Sequence, residues 1–193
     1  TSGGIGIGAG YGAAMLVLSL YSVEWRHQVS PQGVAMLWVS ALFGYPLLLI
    51  GFVDDARRLS AEFKFIVYSL LAVAAAWLMG VVDHVRVGDF VLNLPLVVAV
   101  AGTALWVFTL LNVVNFMDGA NGMAMGSVAV GLCALSIIAL DGGSIGGGAI
   151  ALCGAGAIAG FLVWNFPNGR LFAGDSGALF AGALMLDVNL AGV

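Results

Sequence analysis

Leu94-Pro-Leu-Val-Val-Ala-Val-Ala-Gly-Thr-Ala-Leu-Trp-Val-Phe-Thr-Leu-Leu-Asn-Val-Val114 runs its whole length without a charged side chain. It is about as long as the roughly 20 residues a helix needs to cross hydrocarbon. Similar stretches lie on either side: Ile5–Tyr21, Val34–Val53, Phe65–Val82, Met123–Leu140, Ile145–Val163 and Gly177–Val193. The composition agrees, with 62% hydrophobic and 8% charged residues and a mean hydropathy of +1.09, which excludes a water-soluble core inside a charged shell. The expectation is an all-α, polytopic transmembrane helix bundle of about seven spans, forming one transmembrane domain over 1–193.

Between the spans the polar residues are few and patterned. Three loops hold the informative acids: Gly51-Phe-Val-Asp54-Asp55, Asn115-Phe-Met-Asp118-Gly-Ala-Asn121-Gly, and Leu171-Phe-Ala-Gly-Asp175-Ser-Gly177. If successive spans alternate in direction, the linkers Asp54–Lys64, Asn115–Gly122 and Asn165–Ser176 emerge on one face. The opposite face receives Glu24–Gly33, Asp83–Asn93 and Asp141–Ser144. Arg57, Arg58, Lys64 and Arg170 fall on the motif face, against Arg26 and Arg86 on the other, so the positive-inside rule places the motifs in the cytoplasm. On the outer side, Val85-Arg-Val-Gly-Asp-Phe-Val-Leu alternates about Gly88-Asp89, the pattern of a short periplasmic β-hairpin.

Carboxylates gathered in an apolar setting are candidates for metal or phosphate chemistry. Asp54 and Asp55 adjoin Arg57, Arg58 and Lys64, so acids able to hold a divalent cation stand beside cations able to attract phosphate. Taken alone, the pair also reads as solvated acids marking a helix end. Asp118 and Asp175 each neighbour a glycine, which lets the backbone turn sharply and bring a ligand close. Asn115 and Asn121 flank Asp118 as neutral oxygen donors. Magnesium suits such a face, since it takes a few carboxylates together with substrate phosphate oxygens.

Other features read as packing. The 29 glycines concentrate in Gly3–Gly10 and Gly142–Gly148, where small residues let membrane helices approach and permit a homodimer. Cys133 and Cys153 sit within spans as small apolar residues. The net charge of -4, without a basic run, gives no footing for nucleic acid. The chain opens Thr1-Ser2-Gly3-Gly4 and stops at Ala191-Gly192-Val193, which reads as part of a longer protein.

Gly51 to Lys64, Asn112 to Ala124 and Phe166 to Gly177, in that order, resemble the motifs of the polyprenyl-phosphate N-acetylhexosamine-1-phosphate transferases, and Ser2-Gly3-Gly4-Ile5 is similar to that family's Gly-rich stretch. The Asn-Phe-Met-Asp-Gly form is most similar to members that initiate O-antigen and related surface glycans. The resemblance implies a multi-pass protein of the bacterial inner membrane with its active face in the cytoplasm. It implies transfer of a sugar 1-phosphate from a UDP-N-acetylhexosamine to undecaprenyl phosphate, with Mg2+, or Mn2+ in its place. Asp175 resembles the principal metal ligand, with Asn115 as a second contact. Asp54 and Asp55 match the paired catalytic aspartates, as base or as metal organisers, and Asp118 joins them. Asn121, Lys64 and Arg170 are substrate-binding candidates.

The chain departs from the family pattern at Asn121, where an aspartate is common, at Ala178, where serine is, and at Tyr68, where glutamine is. The family also has about ten spans and a later His-rich cytoplasmic loop, whereas His27 and His84 here fall on the outer face. A truncated, inactive membrane subunit and a transporter using intramembrane acids such as Asp187 are the alternatives.

Overall fold

A computed structural model of the protein describes residues 3–21 and 31–190, the side chains of 21, 31–36, 79, 86 and 187–190 excepted. Arg26, His27 and most of the expected outer segment Glu24–Gly33 lie outside the described residues, as do Thr1, Ser2, the chain end 191–193 and the side chain of Asp187.

The expected bundle forms. In chain order the elements are α1 (Gly3–Tyr21), α2 (Pro31–Arg57), α3 (Ala61–Met79), β1 (His84–Val87), β2 (Phe90–Asn93), α4 (Leu96–Met117), α5 (Met123–Asp141), α6 (Ile145–Asn165) and α7 (Gly174–Leu190). Six of these helices, α1 to α6, are long and apolar enough to cross a membrane, while the apolar part of α7 is shorter. Large side chains such as Trp38, Trp77, Val97 and Val130 stand exposed around the bundle, as lipid-facing residues must when helices are apolar on all sides.

α7 is the axis of the fold, touching α1, α2, α4, α5 and α6. Ala178, Leu179, Phe180, Ala181, Ala183 and Leu184 on it are all fully buried. The small residues of α7 allow this crowding, and Phe180 fills the space between them, packing edge-on to Tyr11 at 5.6 Å and tilted against Tyr45 at 5.4 Å. Tyr45 donates its hydroxyl to the Gly8 carbonyl at 3.0 Å, which ties α2 to α1.

At one end β1 and β2 form the expected hairpin, antiparallel with Val87 opposite Phe90. Gly88 has φ +60 at the first turn position, where a two-residue turn of the primed kind needs it. Leu94 N–H donates to the Asp83 carbonyl at 2.7 Å and closes the base of the ladder.

The acidic stretches collect at the opposite end, and here the expected linkers need correcting. Asp54 and Asp55 belong to the last turn of α2, Lys64 to the first turn of α3, Asn115 to the last turn of α4 and Asp175 to the first turn of α7. Helix continues past the hydropathy boundary because side chains satisfy its ends. Leu59 N–H donates to Asp54 Oδ1 at 2.7 Å, and Arg58 adopts φ +47, a left-handed exit from the helix. Ser60 then caps α3 by accepting from Phe63 N–H.

Candidate active site

The cluster is built outward from the first turn of α7. Asp55, on α2, accepts the backbone N–H of Asp175 at 3.0 Å and of Ser176 at 3.4 Å, together with the Ser176 hydroxyl at 3.0 Å. A carboxylate facing unpaired amides at a helix start is a cap, supplied here from another helix, and the helix dipole favours its charge. Two glycines make the approach possible. A Cβ on Gly51 would sit 2.5 Å from the Ser176 backbone nitrogen, and one on Gly174, which has φ +68, would sit 2.5 Å from Asp55 Oδ2. From the other side Gly3 and Gly4 of α1 donate their N–H groups to the carbonyls of Phe172 and Ala173 at 3.2 and 3.1 Å.

Asp54 is buried, 4% exposed. Lys64 Nζ donates to its Oδ2 at 2.7 Å and lies 3.8 Å from Asp175 Oδ2. One ammonium thus stands between two carboxylates. Burial, then the neighbouring Asp54 carboxyl, push the Asp175 carboxyl up to about 7. Asp118, just beyond α4, is pushed up to about 6 by burial and by the charge of Asp55. Carboxyls raised first by burial and then by neighbouring acids are a common property of functional sites.

One turn beyond Lys64 on α3, Tyr68 is 2% exposed. Its hydroxyl has no hydrogen-bond partner among the described residues, and the charges of Asp175 and Asp54 act on it.

The loop 166–173 is held to the start of α5 by Asn165, which is buried at the end of α6. Asn165 Oδ1 accepts the Gly122 N–H at 2.6 Å, and its Nδ2 donates to the Leu171 carbonyl at 2.8 Å. Asn121 Nδ2 donates to the Pro167 carbonyl at 3.3 Å. The Asn115 side chain is half-buried and Arg170 is exposed.

Of the candidates, Asp54, Asp55, Lys64 and Asp175 meet directly, Asp118 joins them electrostatically, and Asn121 and Arg170 lie by the adjoining loop. Lys64, expected to meet phosphate, is paired with carboxylates. Among the described residues no group of three or more His, Cys, Asp or Glu side chains is arranged to hold a metal. Asp54 and Asp175, both within reach of Lys64, are the oxygen donors such an ion would use, since Mg2+ needs few protein ligands when phosphate completes its shell. Asn165 and Ser176 were not among the candidates. Asn165 is polar at the end of an apolar run, and Ser176 directly follows Asp175; those positions were the available signals.

Residues 34–192 match the family described as Glycosyl transferase family 4. The chain is 28% identical over 192 residues to the "Probable undecaprenyl-phosphate N-acetylglucosaminyl 1-phosphate transferase" of Bacillus subtilis (strain 168), covering 99% of this chain and 51% of that protein. It is 29% identical over 196 residues to the "Decaprenyl-phosphate N-acetylglucosaminephosphotransferase" of Mycolicibacterium smegmatis, covering 95% and 47%. It is 32% identical over 207 residues to the "Phospho-N-acetylmuramoyl-pentapeptide-transferase" of Desulforudis audaxviator, covering 94% and 59%. The chain therefore spans about half the length of the curated relatives it matches.

Proposed function

The chain belongs to glycosyl transferase family 4, and from that premise we propose that it carries the acidic half of an active site that moves a sugar 1-phosphate from a UDP-N-acetylhexosamine to undecaprenyl phosphate. The products are an undecaprenyl-diphosphate sugar and UMP, at the first membrane step of a cell-envelope polysaccharide. One phosphoanhydride bond breaks and another forms, so the step is near balance and reversible. The observation that carries the reading is the Asp54–Lys64–Asp175 cluster at the end of the bundle where all three acidic motifs converge.

That end suits the chemistry. A water-soluble nucleotide sugar and a lipid phosphate meet only at a membrane surface, and Arg57, Arg58 and Arg170, all exposed there, attract both anions. The excess of positive residues on this end supports a cytoplasmic orientation in a bacterial inner membrane. Asp175 would hold Mg2+ with Asn115 as a further oxygen donor. The ion would supply positive charge to the diphosphate as it is transferred.

The residues of the chain then position. Asp54 holds Lys64, and a divalent cation bound to the carboxylates would leave the Lys64 ammonium free to meet phosphate. Asp55 fixes the backbone of Asp175. The acceptor phosphate, with a second pKa of roughly 6, is mostly a dianion at neutral pH, so orientation and charge neutralisation matter more than proton removal.

A panel of radiolabelled UDP-N-acetylhexosamines incubated with undecaprenyl phosphate and the complete protein tests the reading. Label should enter the lipid phase with one sugar, and UMP should be released. Absence of lipid-linked label with every sugar would overturn it.

A further inference from the structure

Among the described residues, Tyr68 is the one buried side chain whose polar atom has no hydrogen-bond partner. Its ring belongs to the apolar cluster with Phe43, Leu47, Leu111 and Leu179, and its hydroxyl has no partner among the described residues. Burying a hydroxyl without a partner costs stability, because its hydrogen bonds to water are lost. Phenylalanine would fill the same space without that cost. Tyr68 lies on the same helix as Lys64, whose ammonium stands between Asp54 and Asp175. It also projects from the helical face of Lys64, one turn away, which is itself bound to Asp54.

We propose that Tyr68 is a substrate-contacting residue whose hydroxyl donates a hydrogen bond to a phosphate oxygen bound beside the Asp54–Lys64–Asp175 cluster. A carboxylate cluster repels anions, so a ligand phosphate placed there requires donors as well as cations. A neutral phenol supplies a donor at depth without adding a charge that the carboxylates would trap, as they trap Lys64. The inference deepens the proposed reaction and rests on it for the identity of the phosphate, which comes from the nucleotide diphosphate or from the lipid acceptor.

Tyr68→Phe in the complete protein tests this, since it removes the hydroxyl and keeps the ring. Binding of UDP and of undecaprenyl phosphate is measured separately by calorimetry in detergent with Mg2+, alongside thermal unfolding. Loss of one hydrogen bond to a charged phosphate should weaken binding of one probe by about ten- to a hundredfold. Selective weakening of UDP assigns the donor to the nucleotide diphosphate, and selective weakening of the lipid phosphate assigns it to the acceptor. The unfolding temperature should stay level or rise, as an unpaired polar atom has been removed. Equal binding of both probes by the two proteins, or binding of neither, would overturn the inference. Failure of the proposed reaction is read independently, as absent sugar transfer by the wild-type protein.

Discussion

The Asp55 carboxylate accepts the backbone N–H of Asp175 at 3.0 Å, so one acid of the cluster holds in place the chain segment that carries another. The two aspartates of the Asp54-Asp55 pair consequently have different neighbours. Asp54 faces Lys64, and Asp55 faces the start of α7.

Removal of the cap should therefore loosen α7. Asp55→Ala should cost about 1–2 kcal/mol of stability, the range for a lost helix cap, and should lower turnover through misplacement of Asp175. Asp55→Asn, which still accepts hydrogen bonds, should fall between. Thermal unfolding and transferase assays on the two variants check the order. Gly51→Ala should act in the same direction more severely, because its Cβ would meet backbone atoms of Ser176, which cannot rotate away.

Asp175→Asn keeps the size and removes the charge. Turnover should fall by on the order of a hundredfold or more if this carboxylate neutralises diphosphate through a divalent ion, with expression unchanged. A Mg2+ titration of wild type and variant is the measurement, and wild-type turnover throughout would remove Asp175 from the metal site.

Lys64→Met strands a buried carboxylate. Because Lys64 is itself about one-third exposed, the loss should be reduced to about 1–3 kcal/mol from the larger cost of a fully buried broken pair. Adding Asp54→Asn to Lys64→Met should restore most of it, and a double-mutant cycle of unfolding free energies reads the coupling.

Stability should depend on pH with a definite sign. The carboxyls of Asp175 and Asp118 are held up at about 7 and about 6, above the roughly 3.9 of an unfolded aspartate. Between about pH 4 and 7 the folded protein binds more protons than the unfolded chain, so unfolding becomes easier as pH rises through that window. Metal-free protein should melt higher at pH 5 than at pH 8, and Asp175→Asn should flatten the difference.

Orientation is checked by labelling. Single cysteines at Ala56, Gly122 and Gly169, in a background with Cys133 and Cys153 replaced, should react only after intact cells are permeabilised. Cysteines at Asp83 and Gly142 should react beforehand.

Much of this was legible because membrane helices announce themselves by length and hydropathy alone. The Gly88-Asp89 turn was equally local, and alternation of the spans sufficed to bring the acidic motifs to one end. Helix ends were misjudged where charge begins, since Asp54 and Asp55 lower hydropathy while Asp54 continues to support the helix through Leu59. The hidden parts were relations between distant segments. No pattern within α2 states that Asp55 will cap α7, and none within α3 states that Lys64 will lie between two acids. Asn165 looks like an ordinary residue at the end of an apolar run, and Tyr68, though it departs from the family pattern, shows its unpartnered hydroxyl only when the folded neighbours are present.

The span from Asp55 to its cap partner covers 120 residues of sequence, and this sets a clock on biosynthesis. At cellular translation rates of about 5–20 residues per second, the ribosome works on the order of ten seconds after making Asp55 before Asp175 exists. During that interval Asp55 lacks its amide partners, and Lys64 can engage Asp54 but not Asp175. The nascent protein thus cannot assemble its carboxylate cluster until the helix at the centre of the bundle has been threaded among the others.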